Sequence, residues 1–399
     1  MDFGFTRRPG RYATVLAVVV LGFGPMAAAS AQSSQRPSSG TAPESELYGV
    51  SCSSASACTA VGDDENSADT SVSLAERWNG TAWAVQSTPT PTGSQATYFD
   101  AVSCFSASAC TAVGNYVSSA GISVSLAERW NGTSWSVQST PNPSGATGSF
   151  LEGVSCTSAS ACTAVGYYLT SGTFQTLAEN WNGTAWSIQS TPTPSGSIGG
   201  FLNGVSCTSA SACTATGFYE TSTSELTLAE GWNGTAWAIQ STPAPTGATA
   251  AELYGVSCTS TSACTAVGNY VTGAGATVTL AERWNGTAWS VQSTLTPSGA
   301  IAGYLNGISC TSASVCTGVG WYETSPGAYE TLAENWNGTA WSVQSTPNPS
   351  GASASYLLGV SCTATPSCTA AGYALNSTYT ALAEGWNGTA WSIQSTPTP

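Results

Sequence analysis

Histidine and lysine are both absent from this 399-residue chain, and charged residues make up only 7% of it. The seven basic residues are all arginine, against 21 acidic residues. Proteins hold phosphate backbones and anionic membranes mainly through Lys and Arg, so nucleic acid and anionic lipid surfaces are excluded as partners. Without histidine or lysine, general acid–base catalysis would depend on Asp and Glu.

The first 31 residues have the pattern of an export signal. Three arginines precede an apolar run over 12–23, and an A-x-A cleavage site ends at Ala31. The run is shorter than the ~20 residues that span a membrane, so we expect cleavage after Ala31, with a retained anchor as the alternative. The protein would then be extracellular or in the cell envelope, without membrane insertion. Residues 32–45 are typical of a flexible linker.

One unit of about 51 residues is repeated seven times over residues 46–399. Each copy reads approximately L-x-G-V-S-C-T-S-A-S-A-C-T-A-V-G, a variable stretch, then T-L-A-E-x-W-N-G-T-A-W-S-V-Q-S-T-P. Short β-branched and aromatic runs without a helical stripe predict four strands per unit. In the first unit we expect them at 47–52, 58–62, 73–78 and 81–87. Seven such units predict an all-β, seven-bladed β-propeller of four-stranded antiparallel blades; an open solenoid is the alternative.

The W-N-G-T-A-W box lies between the third and fourth predicted strands. Asn-Gly is the preferred pair for a two-residue type I′ turn, in which both residues have positive φ. The box therefore predicts a tight hairpin with a tryptophan on each side, packed against each other.

Fourteen cysteines form seven C-x5-C pairs, one in each unit. The spacing is longer than that of zinc sites, and no histidine ligand is available. In an exported protein this pattern predicts disulfides, one per blade. The expected pairs are Cys52–Cys58, Cys104–Cys110, Cys156–Cys162, Cys207–Cys213, Cys258–Cys264, Cys310–Cys316 and Cys362–Cys368.

Strand order in a meander divides each unit between two faces. The turns after the first and third strands share one face and are nearly identical in every unit, whereas the loops after the second strand share the other face and vary. Variable loops on a rigid scaffold are typical binding surfaces. Aromatic residues just inside this variable face could stack on sugars or contact a protein, or could simply cover neighbouring blades: Tyr116, Tyr168, Tyr219, Tyr270, Trp321 and Tyr322.

Acidic residues have two distinct patterns. The first unit replaces the recurring tyrosine with an acidic stretch that could hold Ca²⁺ or could be a solvated loop: Asp63, Asp64, Glu65 and Asp69. We expect no other cofactor. The glutamate of L-A-E recurs in all seven units, which indicates a structural hydrogen-bond acceptor. A second variable position follows the first-strand leucine and is expected near a channel mouth: Tyr48, Asp100, Glu152, Asn203, Tyr254, Asn306 and Leu358.

These motifs resemble the blades of the sialidase/BNR (Asp-box) propeller superfamily, and are similar to photosystem II assembly factor-type repeats. As in the hairpin motif of those blades, Trp83 follows Gly80 by three residues, while Trp78 stands where the motif has Asp. The resemblance implies a propeller over residues 46–399 and no particular reaction. Sialidases also grip a carboxylate with clustered arginines, whereas the arginines here occupy equivalent positions in different blades.

The sequence favours a secreted, monomeric binding or scaffold module that takes a glycan or protein through its variable face. We expect no enzymatic activity. A glycosidase- or lyase-type enzyme is one alternative, with Asp100, Glu152, Glu220 and Glu323 as candidate acids. A structural protein of the cell envelope without a specific ligand is the other.

Overall fold

The computed structural model describes residues 44–66, 70–363 and 367–399. Over these ranges the chain is all-β, with 28 strands and no helix. The predicted export signal and most of the predicted linker lie outside the described residues, and the first strand begins at Glu44. Within the same ranges, no helix is long and apolar enough to cross a membrane.

Each repeat contributes four strands. The first strands are β1 (Glu44–Ser54), β5 (Ala96–Ser106), β9 (Gly148–Ser158), β13 (Gly199–Ser209), β17 (Ala248–Ser260), β21 (Ala302–Ser312) and β25 (Ala354–Cys362). The second strands are β2 (Ala57–Glu65), β6 (Ala109–Val117), β10 (Ala161–Thr170), β14 (Ala212–Glu220), β18 (Ala263–Thr272), β22 (Val315–Ser325) and β26 (Cys368–Leu375).

The third and fourth strands complete the set and are joined by the W-N-G-T-A-W box. The third strands are β3 (Ser71–Trp78), β7 (Ser123–Trp130), β11 (Thr173–Trp181), β15 (Glu225–Trp232), β19 (Thr277–Trp284), β23 (Ala328–Trp336) and β27 (Tyr379–Trp386). The fourth strands are β4 (Trp83–Gln86), β8 (Trp135–Gln138), β12 (Trp186–Gln189), β16 (Trp237–Gln240), β20 (Trp289–Gln292), β24 (Trp341–Gln344) and β28 (Trp391–Gln394).

Within every repeat the four strands pair in chain order and antiparallel, as predicted. Five repeats form separate four-stranded sheets. The sixth and seventh share an eight-stranded sheet, because a parallel bridge pairs Tyr329 with Ala354. The first three strands of the first repeat are longer than predicted, and the fourth is shorter.

Every first strand contains a bulge at the variable position that follows its core Leu or Phe. In the fourth repeat the pairing register skips Asn203, between Leu202 and Gly204. The opposing Gly217 lies so close that a Cβ there would be 2.0 Å from the carbonyl oxygen of Phe201. Only glycine fits this approach. A bulge changes the direction of a single side chain. In each repeat, the variable residue therefore lies outside the regular strand pairing that continues on either side of it.

The W-N-G-T-A-W box forms a hairpin, and its two tryptophan rings pack with centroids 5.7 Å apart in the fourth repeat. The predicted two-residue type I′ turn is wrong. Gly234 has a φ of 94°, but Asn233 is not among the residues with positive φ. Instead, Asn233 Oδ1 accepts bonds from the backbone nitrogens of Thr235 (2.9 Å) and Ala236 (3.0 Å). The side chain thereby replaces a backbone acceptor and stabilises a four-residue loop.

Replacing Gly234 should be costly. We expect Gly234→Ala to lower the free energy of unfolding by roughly 1 kcal/mol or more, because positive φ strains a residue with a Cβ and that Cβ would lie 2.9 Å from Ser211 Cβ. Gly318→Ala is the matched control, since six repeats already hold Ala there and the nearest atom would be 3.6 Å away. Denaturant midpoints of the two variants test this; equal losses would contradict it.

Most hydrophobic cores combine two neighbouring repeats, whereas the core around Tyr356 spans the sixth, seventh and first repeats. In one, Val165 and Ala178 of the third repeat pack with Leu202, Leu228 and Trp237 of the fourth. The first and seventh repeats share a core in the same way, formed by Leu47, Val50, Cys58, Ala60, Leu74 and Trp83 with Ala371 and Ala383. Burial of apolar surface therefore stabilises the joints between repeats, since a single sheet has no core of its own.

One hydrogen bond recurs at every joint. The backbone nitrogen of the first cysteine in a repeat donates to a serine hydroxyl of the preceding repeat, as from Cys207 to Ser155 Oγ at 3.0 Å. The same bond links Cys52 to Ser361 Oγ of the seventh repeat at 2.9 Å. The first and seventh repeats are therefore in contact through the interactions that join consecutive repeats.

All seven predicted disulfides are present. Each closes the turn between the first and second strands of its own repeat. Among the described residues no cysteine is free, so the prediction of one disulfide per repeat is confirmed.

Candidate functional site

Neighbouring repeats meet in a groove beside the fourth strand. Between the fourth and fifth repeats the cavity measures about 470 Å³, and between the third and fourth about 330 Å³. We call this cavity the inter-repeat groove: one wall is the end of a fourth strand with the S-T-P that follows, and the other is the W-N-G-T-A-W box of the next repeat. Its main lining residues in the larger example are Gln240, Thr242, Pro243, Trp284, Thr287 and Trp289.

The lining of the groove is polar and aromatic but uncharged. Trp289 Nε1 donates to Gln240 Oε1 at 3.0 Å, which ties the two walls together. Trp284 is half-buried, and its Nε1 donates to the carbonyl oxygen of Thr261 at 3.2 Å. The groove therefore offers part of an indole ring beside amide and hydroxyl groups that can donate and accept hydrogen bonds.

The residue immediately before the third-strand tryptophan varies among repeats; we call it the capping position. Arginine occupies it in three repeats, as Arg77, Arg129 and Arg283, whereas Asn180, Gly231, Asn335 and Gly385 occupy it in the others. Each arginine reaches the third-strand tryptophan of the next repeat. The guanidinium carbon lies 5.6, 4.9 and 4.9 Å from the ring centroids of Trp130, Trp181 and Trp336, respectively. These are cation–π contacts.

The L-A-E glutamates are all fully buried: Glu76, Glu128, Glu179, Glu230, Glu282, Glu334 and Glu384. Burial disfavours the charged form, and it raises the pKa of each from 4.5 to about 8, or to about 7 for Glu334. At neutral pH most of these carboxyls are therefore protonated in the folded protein.

The predicted acceptor role of these glutamates is correct only in part. Glu334 Oε2 accepts from the backbone nitrogen of Leu295 at 3.1 Å, and Glu179 Oε1 from Ser125 Oγ at 3.5 Å. The other six repeats have proline where the fifth has Leu295, and proline has no N–H to donate. Among the described residues, neither carboxyl oxygen of Glu76 or Glu230 has a hydrogen-bond partner.

The aromatic residues predicted for the variable face are held in packing contacts. The five tyrosines are half-buried and pack against the cores between repeats: Tyr116, Tyr168, Tyr219, Tyr270 and Tyr322. Trp321 is 5% exposed and stacks on Tyr304, with ring centroids 3.8 Å apart. These rings therefore contribute to the packing between repeats.

The acidic stretch of the first repeat was predicted to be a loop, and for Asp63, Asp64 and Glu65 this prediction is wrong. Asp63, Asp64 and Glu65 are the last residues of β2, and Asp69 lies outside the described residues. Successive strand side chains point to opposite faces, so three consecutive carboxylates do not converge. The pKa of Asp64 is raised to about 6 by burial, then by the charges of its two neighbours. The described ranges contain no group of acidic residues suited to a metal ion.

The acids considered for catalysis lie in four different repeats. Asp100 and Glu152 are the bulge residues of β5 and β9, and both are buried. Glu220 ends β14, and Glu323 lies in β22 with its Oε1 accepting from the backbone nitrogen of Gly327 at 3.1 Å.

Sequence reasoning missed the inter-repeat groove. The signal was available in the residue before the first tryptophan of the L-A-E-x-W-N-G-T-A-W stretch, which is otherwise uniform except for Ser134 in the second repeat. From the sequence, this variation indicates only that the arginines do not form a cluster. Its role in the groove is hidden there, because the tryptophan that each arginine contacts lies in the next repeat.

No protein-family model matches the chain, and no curated protein matches it. Among solved structures, the GH74 xyloglucanase from Xanthomonas campestris aligns with a TM-score of 0.52 and 11% identity over 87% of this chain. The chain spans about half (54%) of that enzyme's length. A polysaccharide lyase of family PL25, an ulvan lyase, aligns with a TM-score of 0.55 and 9% identity over 86% of this chain and 92% of the lyase.

At these identities the likeness concerns architecture alone. The strands, the repeats and the structural neighbours together show an all-β fold of the β-propeller type.

Proposed function

We propose that the protein is a secreted, non-catalytic glycan-binding module whose seven repeats close into one seven-bladed β-propeller. The observation that carries the binding role is the uncharged, tryptophan-containing groove between neighbouring repeats. A sugar ring presents C–H faces that pack on indole, and hydroxyls that bond to amides and hydroxyls. The cavities fall in the size range of small-ligand sites.

Closure of the ring is supported by the contacts between the first and seventh repeats. Besides the shared core and the bond from Cys52 to Ser361, Trp83 Nε1 donates to Gln394 Oε1 at 2.9 Å. The same tryptophan-to-glutamine bond joins consecutive repeats, as from Trp289 to Gln240. Secretion is supported by the seven disulfides, which persist in oxidising compartments.

A binding role without catalysis is supported by the chemistry of the groove. Its lining contains no Asp, Glu or Tyr, and these are the side chains on which acid–base catalysis in a chain without His or Lys would mainly depend. Binding through repeated weak sites is also suited to surfaces, since linked sites can raise avidity by about 10²–10⁴ over one site.

A binding screen tests the proposal. We expect the mature protein to bind immobilised neutral polysaccharides with an apparent affinity roughly 10²–10⁴ higher than for the corresponding free trisaccharides. Binding should survive Tyr270→Ala on the variable face. Loss of binding in that variant would place the site on the variable loops instead, and capture of proteins but no saccharide would favour a protein ligand.

The same samples distinguish the remaining alternatives. Incubation with each bound polysaccharide should release neither reducing ends nor unsaturated sugars. Release of either would establish an enzyme. Failure to bind any saccharide or protein would leave a structural protein of the cell envelope as the better interpretation.

A further inference from the structure

The capping position divides the seven joints into two kinds. At joints with arginine, the guanidinium covers the tryptophan that would form one wall of the groove. At the joint between the fourth and fifth repeats, this position is Gly231, and the larger cavity is found there. The joint between the third and fourth repeats has Asn180 and the smaller cavity.

Burial of the tryptophans follows this division at the two joints where the arginine lies closest to the ring, whereas Trp130, 5.6 Å from Arg77, stays half-buried. Trp181 and Trp336, which lie 4.9 Å from an arginine, are 5% and 4% exposed, whereas Trp232 and Trp284 are half-buried. The hydrogen bonding of the indole nitrogens also differs between the two kinds of joint. Among the described residues, the third-strand indole nitrogens that are buried without a hydrogen-bond partner are those beside an arginine: Trp130, Trp181 and Trp336.

Arg129 and Arg283 are the two arginines closest to a tryptophan ring. Their joints differ from the other joints in a second way. At most joints the glutamine that ends a fourth strand accepts a bond from the fourth-strand tryptophan of the next repeat, as Gln189 does from Trp237 at 2.9 Å. Where Arg129 is inserted, Gln138 instead bonds to Ser136 Oγ at 3.2 Å, and Trp186 Nε1 has no partner among the described residues. The joint at Arg283 repeats this arrangement with Gln292 and Trp341.

The guanidinium is also anchored on the far side of the groove. Arg283 Nη2 donates to the carbonyl oxygen of Ala313 at 2.7 Å, and Arg129 Nη2 bonds in the same way to Ala159. Both carbonyls belong to the first turn of the next repeat. Each guanidinium stacks on the indole ring and also donates an N–H to a backbone carbonyl. These two contacts fix it in place over the tryptophan.

We infer that the capping position decides which inter-repeat grooves accept a ligand: arginine closes a groove, whereas Gly or Asn leaves it open. The protein then carries four sites for neutral saccharides, at the joints that follow Asn180, Gly231, Asn335 and Gly385. The saccharide class rests on the proposed function, but the opening and closing of the grooves does not.

Tryptophan oxidation by hydroxyl radicals, mapped by mass spectrometry, tests the covering without any ligand. In the native protein, Trp232 and Trp284 should oxidise faster than Trp181 and Trp336. Arg129→Gly should raise the rate at Trp181 to that of Trp232. Gly231→Arg should lower the rate at Trp284 to that of Trp336, while Gly231→Asn leaves it unchanged.

These substitutions are compatible with the fold, because each introduced residue already occupies the equivalent position in another repeat. A Cβ at Gly231 would approach only the amide nitrogen of Gln240, at 2.6 Å, and the corresponding glutamine turns away at the Arg129 and Arg283 joints. Melting temperature and circular dichroism confirm folding. If the variants are folded and their tryptophan oxidation rates are unchanged, the inference is overturned.

Native mass spectrometry with cellotriose, maltotriose and mannotriose as probes counts the sites. We expect up to four bound molecules, one fewer in Gly231→Arg, two fewer when Gly385→Arg is added, and one more in Arg129→Gly. A stoichiometry unchanged in these variants would overturn the assignment of the sites. Absence of binding by all three probes, with oxidation rates as expected, would contradict glycan binding and leave the covering by arginine intact.

Discussion

Raising the pH from 4.5 to about 8 should progressively destabilise the protein. Over this range the unfolded chain ionises its L-A-E glutamates, while burial raises their pKa in the folded state to about 8. The folded state therefore binds more protons than the unfolded state, and stability falls as pH rises. The contribution of protonation is fully present below 4.5 and is lost as pH rises through the folded pKa.

Within that window each buried glutamate makes stability fall as the pH rises, because the folded state holds a proton that the unfolded state has released. Guanidinium denaturation at a series of pH values measures the total. Glu230→Gln should reduce the slope by one glutamate's share and make the variant more stable than the native protein above the window. Parallel curves for the native protein and Glu230→Gln would refute the protonation of this buried site.

Reducing the disulfides should have the second large effect. Each closes a short loop and is worth roughly 2 kcal/mol through the entropy of the unfolded chain. Seven such losses together are comparable with the typical 5–15 kcal/mol stability of a folded domain. We therefore expect the protein to melt cooperatively without reductant and to unfold at ordinary temperature once all fourteen thiols are released.

A single disulfide provides the matched comparison. Cys258→Ala with Cys264→Ala removes one loop and should lower the unfolding free energy by about 2 kcal/mol while the other disulfides stay formed. Thiol titration alongside calorimetry checks both samples. Full thiol release with an unchanged melting temperature would show that packing between repeats, and not the cross-links, sets stability.

The repeat unit was predictable because its patterns are local. The β-branched and aromatic runs, the C-x5-C spacing and the tryptophan hairpin each lie within one repeat, and the strands, disulfides and hairpins that they predict were confirmed. The turn type was wrong because propensity for Asn-Gly does not account for the Asn side chain, whose oxygen replaces a backbone acceptor. Asp63–Glu65 were mistaken for a loop because acidic residues are depleted in strands, yet pairing with β1 extends β2 through them.

The features that sequence reasoning missed lie between repeats. An inter-repeat groove has walls from two units about 50 positions apart, so no window of the sequence contains both. The predicted acceptor role of the buried glutamates was correct only in part, because in six repeats the donor that Leu295 supplies to Glu334 is replaced by proline from the neighbouring unit. Asn180, Gly231 and Arg283 occupy the same position in their units. The effect of this variation is visible only in the structure, where the residue faces the tryptophan ring of the next repeat.

If the ring closes as proposed, the bond from Cys52 to Ser361 is the same bond that joins consecutive repeats, and any repeat could come first in the chain. Because the same backbone-to-serine bond is present at every joint, circularly permuted chains cut in any connector between repeats should reach the same architecture, and the order of translation would not affect the final assembly. Duplication or loss of whole units would then be limited by ring geometry alone, which offers a direct route by which such proteins change their number of binding sites.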